Sequence, residues 1–274
     1  MGRFDGILIT TDLDGTLLSN DKTVSRENLD AIEYFKSEGG FFTFITGRMP
    51  SYVGDIVDTV KPNAPFGCIN GGGLYDHEKK KYLLTTPLDP EALILARHIT
   101  ESIPEIGVQL SGFDKVYFAR DNAAMEHFRA VTGIPNLTCT LDGIGCEMAK
   151  ILFGDLREDN IDLCARLLSE HPLAPRFDFI RSELTLYEIL PKGVNKGAVL
   201  KPLSKLLGTD IGHTVAVGDY ENDIGMVKAA GVGIAVSNAR PALKAIADHI
   251  TVSNEESAIA RIVEDIEGGK IKFR

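Results

Sequence analysis

The stretch Ile7-Leu8-Ile9-Thr10-Thr11-Asp12-Leu13-Asp14-Gly15-Thr16 sets the frame in which the rest of the chain is read. Residues 7–11 are a short apolar run that ends directly in acid, the pattern of a strand buried in a parallel sheet. Asp12 and Asp14 lie two apart on an extended segment, so both carboxylates can face one site. Two carboxylates in different environments can divide into a nucleophile and a general acid. Gly15 permits a sharp turn out of the strand. Taken alone, the run has a plain alternative, a strand followed by an Asp-Gly turn.

Working outward, residues 25–38 predict a helix, with Leu29, Ile32 and Phe35 on its apolar face, Ser25 as N-cap and Gly39 past its end. Residues 41–46 predict a second buried strand. Pro50 predicts the start of a helix carrying Val53, Ile56, Val57 and Val60, and residues 68–70 predict a third strand. This β-α-β-α-β order implies a parallel sheet covered by helices on both faces. After about residue 83 the pattern changes. Helices at 91–101, 122–131 and 160–170 alternate with a strand at 148–153 and hairpins around Gly112-Phe113-Asp114 and Ser182-Glu183, which implies an α+β domain with an antiparallel sheet. Lys79-Lys80-Lys81 reads as a solvated turn between two strands. The parallel pattern resumes with a helix at 196–207, a strand at 213–217 and a helix at 223–230. A strand at 232–236, a helix at 241–247, a strand at 250–252 and a helix at 257–266 follow. The expected fold is therefore α/β: a doubly wound, parallel-sheet, Rossmann-like core from residues 1–83 and 190–274, interrupted by an inserted α+β domain at 84–189.

The formal net charge is −10, a field that repels nucleic acid and anionic lipid, so neither is an expected partner. No stretch reaches the roughly 20 apolar residues needed to span a bilayer, and the first apolar run meets Asp12 too soon to serve as a secretory signal. Cys68, Cys139, Cys146 and Cys164 form no C-x-x-C pair and read as reduced thiols of a cytoplasmic protein. The six histidines lack metal-ligand spacing, which argues against zinc. Gly231-Val232-Gly233 precedes a strand instead of following one, which argues against a dinucleotide fingerprint.

Three further elements carry chemistry, each where a strand ends or a helix begins. In Ile45-Thr46-Gly47-Arg48, a hydroxyl and backbone N–H groups before a helix can hold phosphoryl oxygens, although a capped helix with a surface arginine reads as well. Lys196, within Lys192-Gly193-Val194-Asn195-Lys196-Gly197, sits at a helix start, where the helix dipole disfavours a cation; a nearby anion would explain it, and a solvated lysine is the plain alternative. In Gly218-Asp219-Tyr220-Glu221-Asn222-Asp223, hard oxygen ligands of the kind that suit Mg2+ stand at a helix start.

Together these elements resemble the four motifs of the haloacid dehalogenase-like superfamily. The runs DLDGTLL, ITGR, INGG, GVNKG and GDYEND are closest to its Cof-type sugar-phosphatase branch, with Tyr220 a departure from that branch's usual Gly or Ser. About 30 residues separate Thr16 from Thr46, which one helix and a strand consume. Roughly 150 separate Arg48 from Lys196, enough for a domain, so the inserted domain corresponds to the large cap of that branch. The resemblance implies a Mg2+-dependent phosphatase acting on small phosphate esters. In it Asp12 is the nucleophile and Asp14 the general acid/base; Thr46, Gly47, Arg48, Asn70, Gly71, Lys196 and Asn222 bind phosphate or substrate. Asp12, Asp14 (through its backbone carbonyl), Asp219 and Asp223 hold the metal. The cap residues Lys150, Arg181 and Glu188 are candidates for the leaving group, an ordinary charged sheet surface being their plain alternative. A monomer and a homodimer are equally compatible with the sequence. A phosphomutase and a non-catalytic sensor of phosphorylated metabolites remain the rival functions.

Overall fold

The computed structural model describes residues 2–273. Strand β1 (Leu8–Thr11) is buried along its whole length. Helix α1 (Arg26–Ser37) begins at Ser25, whose hydroxyl accepts the Asn28 N–H at 3.2 Å; such a cap stabilises a helix by about 1 kcal/mol. Its buried Ile32 and Phe35 lie one turn apart, as the helical period requires. Strand β2 (Phe41–Phe44) runs parallel to β1. The helix expected from Pro50 is broken: a 3-10 turn (Pro50–Tyr52) ends at Val53, whose φ of −128° is not helical, and α2 (Gly54–Val60) starts afresh.

The third strand differs from the sequence expectation. Among the described residues, the backbone of strand β3 (Phe66–Cys68) joins the parallel sheet through one bridge, between Ile45 and Gly67. It pairs antiparallel with β4 (Gly73–Asp76). β4 in turn lies beside β5 (Lys81–Thr85), giving a separate three-stranded sheet. Asn70 is not in a strand at all. Ile69, Asn70 and Gly71 have φ of 54°, 52° and 93°, three left-handed residues in succession that turn the chain out of β3. No periodic pattern announces such a run.

The inserted unit comprises Met49–Tyr52 and Thr85–Val194. It contains α3 (Ala92–Ser102), β6 (Gly107–Ser111), β7 (Val116–Arg120), α4 (Ala123–Thr132), β8 (Lys150–Gly154), α5 (Glu158–Glu170), β9 (Phe177–Glu183) and β10 (Leu186–Pro191). The strands form an antiparallel sheet in the order β7-β6-β8-β10-β9. Val108, Leu110, Ile151, Phe153 and Ile189 share one core with Leu95, Ile99, Cys164 and Leu168 of α3 and α5. Side chains alternate along a strand, so Gln109, Ser111, Lys150 and Glu188 fall on the opposite face of the sheet. The unit continues past residue 189, where the sequence reading ended it, because β10 runs on to Pro191 and the Val194 N–H closes a turn onto the Pro191 carbonyl at 3.1 Å.

The chain then re-enters the first unit, which holds residues up to Arg48, Val53–Leu84 and everything from Asn195 onward. A 3-10 turn (Lys196–Val199) leads into α6 (Leu200–Leu207), followed by β11 (Thr214–Gly218) and α7 (Ile224–Ala229). Then come β12 (Val232–Ala235), α8 (Pro241–Lys244), β13 (His249–Ile250) and α9 (Ala258–Glu267). The strand order is β13-β12-β11-β1-β2, with every pair parallel. Leu8 and Ala216 pack with Leu200, Leu203 and Met226 of α6 and α7 on one face. Ile9, Phe42, Val215 and Val217 are as deeply buried on the other, where α1 packs on β2 and on α9. From β1 the chain winds outward to β2 on one side and through β11 to β13 on the other. The order therefore reverses between β1 and β11, and the crevice at their carboxyl ends is where sheets of this kind bind ligands. No helix among the described residues is long and apolar enough to cross a membrane.

Candidate active site

Asp12 and Asp219 follow directly on β1 and β11, the two neighbouring strands at the reversal point. The Asp12 N–H donates to the Val217 carbonyl at 2.9 Å, extending the ladder by one bond and leaving the side chain at the mouth of the crevice. Gly15 then turns with φ of +77°, and a Cβ there would lie 2.6 Å from Asp219 Oδ2, so only glycine lets the two loops meet. The Thr16 hydroxyl donates to Asp219 Oδ1 at 2.9 Å.

Lys196 is fully buried, and its Nζ stands 2.7 Å from Asp12 Oδ1 and 2.7 Å from Asp223 Oδ1. The solvated-lysine alternative therefore does not describe it: the ammonium at the start of this turn neutralises carboxylates carried by two other segments. The second oxygen of Asp223 accepts the backbone N–H groups of Asp219 at 2.9 Å and Tyr220 at 3.1 Å, which fixes the turn that presents Asp219. Asp12, Asp219 and Asp223 have ligand oxygens within 4.8 Å of one another. Three carboxylates around one ammonium leave an excess of buried negative charge, and their hard oxygens match what Mg2+ requires. Asp14 contributes no carboxylate to this cluster.

Burial and then the neighbouring Asp223 push the Asp219 carboxyl up to about 7. Burial raises Asp12 as well, against the pull of Lys196, with Asp223 and Asp219 adding to the rise. Carboxylates raised in this way stabilise the fold while protonated. That contribution is fully present below the unfolded value of about 3.9 and is lost as pH rises through about 7. A cation binding the ionised cluster restores it. Saturating Mg2+ is therefore expected to raise the melting temperature more at about pH 8 than at about pH 6, measured calorimetrically against the EDTA-treated protein; equal gains would contradict the assignment of the cluster.

Asp14 has a different environment. Arg48 grips it in a fork, Nε to Oδ2 at 2.9 Å and Nη2 to Oδ1 at 2.7 Å, and Lys22 Nζ adds a bond to Oδ1 at 2.9 Å. Burial alone would raise Asp14; the Arg48 and Lys22 bonds outweigh it and lower the carboxyl below its ordinary value. The Arg48 guanidinium, expected at the phosphate, is thus engaged by Asp14. Sequence reasoning missed Lys22. It sits at φ +64° in a loop closed by the Ser19 N–H to the Thr23 carbonyl at 2.9 Å, and only that closure carries it back to Asp14.

Thr46 is buried, and its hydroxyl accepts the Arg48 N–H at 3.2 Å. Asn70 is also wholly buried, and its Oδ1 accepts the Asn222 amide at 3.2 Å. The Asn222 side-chain oxygen Oδ1 is buried without a hydrogen-bond partner among the described residues. Gly71 lies against the peptide that joins Asn195 to Lys196; a Cβ there would lie 2.0 Å from the Asn195 carbonyl oxygen. Arg240 stacks over Tyr220 at 5.6 Å. In the inserted unit, Lys150 and Glu188 form a buried ion pair at 2.9 Å, whereas Arg181 is bound to Asp162 of α5 at 2.7 Å and to the Leu184 carbonyl.

Residues 9–263 match the sequence profile of the haloacid dehalogenase-like hydrolases. The chain belongs to that family. The hydrolase is 29% identical over 264 residues to the 5-amino-6-(5-phospho-D-ribitylamino)uracil phosphatase YitU of Bacillus subtilis, covering 94% of this chain and 96% of that protein. It is 28% identical over 288 residues to YwtE of the same organism, named for the same activity, covering 96% of this chain and 98% of that one. In fold the hydrolase superposes with a TM-score of 0.82 on a haloacid dehalogenase-like hydrolase from Bacteroides thetaiotaomicron, at 23% identity and covering 95% of this chain and 99% of that one.

Proposed function

We propose that this hydrolase is a Mg2+-dependent phosphatase that removes phosphate from small phosphorylated metabolites, sugar phosphates foremost, through a phospho-aspartate on Asp12. The observation that carries the reading is Lys196 buried between Asp12 and Asp223 with Asp219 alongside, at the point where the strand order reverses. The ammonium orients Asp12 and can hold a phosphoryl oxygen beside it.

Asp12, Asp219, Asp223 and the Asp14 backbone carbonyl would hold the metal. When bound, it offsets the repulsion between the Asp12 carboxylate and a phosphate dianion. An Asp12 oxygen attacks phosphorus, forming the acyl phosphate as the P–O bond to the alcohol breaks, and Asp14 gives its proton to the departing oxygen. Water then attacks the acyl phosphate, Asp14 takes back a proton, and inorganic phosphate and free Asp12 result. Thr46, the Gly47 peptide and Asn222 bind the spread charge on the phosphoryl oxygens. The Arg48 fork and Lys22 hold Asp14 as a carboxylate, the form that accepts a proton from the water. Delivering a proton to the alcohol calls for those contacts to loosen when substrate binds. The relatives' activity on a phosphorylated ribityl compound supports a polyhydroxy phosphate ester as the substrate class. A cytoplasmic location accords with thiols read as reduced.

The test is phosphate release from p-nitrophenyl phosphate, expected to need Mg2+, to stop with EDTA and to return when Mg2+ is restored. Full activity in EDTA would defeat the metal-dependent reading. A screen of hexose, pentose, triose and ribityl phosphates by kcat/KM would then rank the substrates.

A further inference from the structure

Resting on the phosphatase reading above, we infer that Asn70 is a positioning residue that joins the two halves of the phosphate site without itself touching the substrate. The left-handed run of Ile69, Asn70 and Gly71 is the starting observation. A β-branched residue in that region is an outlier, and strain of this kind persists only where the surroundings hold it. Here it turns two successive N–H groups onto one segment: Ile69 donates to the Arg48 carbonyl at 3.0 Å and Asn70 to the Thr46 carbonyl at 3.0 Å. These two bonds bracket Gly47, where a Cβ would lie 3.0 Å from Asn70 Oδ1. The same oxygen accepts the Asn222 amide at 3.2 Å.

Residues 46–48 follow β2, and Asn222 follows β11; β1 lies between those strands. Asn70 thus bridges past β1 and ties a backbone segment on one side to a side chain on the other. Asn70 is wholly buried, and its Oδ1, the acceptor of its amide, is taken up by Asn222. Asn222 is 7% exposed. Asparagine suits the role because it tolerates left-handed backbone better than other side-chain-bearing residues.

The test is a double-mutant cycle of Asn70→Gly and Asn222→Ala, read as kcat and KM for p-nitrophenyl phosphate together with inhibition by inorganic phosphate. Glycine accepts the backbone angle and removes the bridging amide. Asn70→Gly alone is expected to lower kcat/KM by roughly 10- to 100-fold and to weaken phosphate inhibition, but to cost no more than about threefold in the Asn222→Ala background. Equal factors in both backgrounds would overturn the positioning role, because an independent substrate contact gives effects that multiply. Should the glycine variant not fold, Asn70→Ala, whose side chain also stops short of Asn222, takes its place with the same two outcomes. A wild-type protein inert toward p-nitrophenyl phosphate would count against the phosphatase reading itself; an active one with multiplying effects would count against this inference alone.

Discussion

Asp12→Asn is expected to reduce phosphate release by about a thousandfold or more while leaving the protein folded and somewhat more stable. The loss follows from the nucleophile: an amide oxygen does not form the acyl phosphate. The stability gain follows from the surroundings. Burial raises the Asp12 carboxyl, and Asp223 and Asp219 push it further in the same direction. Removing that charge relieves the crowding, while the amide oxygen keeps the acceptor that meets Lys196 at 2.7 Å. Lys196 also retains Asp223. Steady-state assays and a thermal melt at about pH 8 in EDTA would check both halves, since that is where the ionised cluster repels itself most. Undiminished activity would remove Asp12 from the chemistry, and a marked fall in melting temperature would refute the picture of an over-charged cluster.

Lys196→Met is expected to have the opposite effect on stability and a similar one on activity. The lysine is wholly buried between two carboxylates, which raise its affinity for the proton although burial alone would lower it. Methionine fills much of the same volume but leaves Asp12 and Asp223 without their counter-charge. Removing one partner of a buried ion pair costs about 3–5 kcal/mol, because the remaining charge is stranded away from water. Urea unfolding at neutral pH would measure the loss. Combining Lys196→Met with Asp12→Asn should recover part of the stability and none of the activity, since one stranded charge is then gone. A solvent-facing lysine would show neither the cost nor the recovery.

Much of this site was legible in the chain. Asp12, Thr46, Lys196 and Asp219 stand at strand ends or at the start of a helical turn, and short apolar runs ending in acid or Thr-Gly mark such positions by local pattern alone. The two-residue spacing of Asp12 and Asp14 suggests one shared site but does not tell which groups each carboxylate meets there. Gly15 turns the chain, Asp12 enters the carboxylate cluster, and Asp14 is taken by Arg48 and Lys22. The third strand failed for a related reason. An apolar run signals a strand but not its partner, and β3 left the parallel sheet for β4. In the left-handed run Asn70-Gly71 carries a local turn signal, but nothing in Ile69 foretells its φ of 54°.

Local chemistry along the chain determined the alternation of elements, the insertion between Arg48 and Lys196, and the residue types available for catalysis, because periodicity and turn residues act over a few neighbours. Only the tertiary structure decided which charges meet. Lys196 reaches Asp12 and Asp223 across long stretches of chain, Arg48 closes on Asp14, and Asn70 bonds Asn222. These pairings depend on the order in which strands assemble and on the burial that follows, and burial makes an unpaired charge too costly to leave alone. Asp12 thus carries in sequence the identity of a carboxylate at a strand end; its crowding and its counter-ion come from the fold around it.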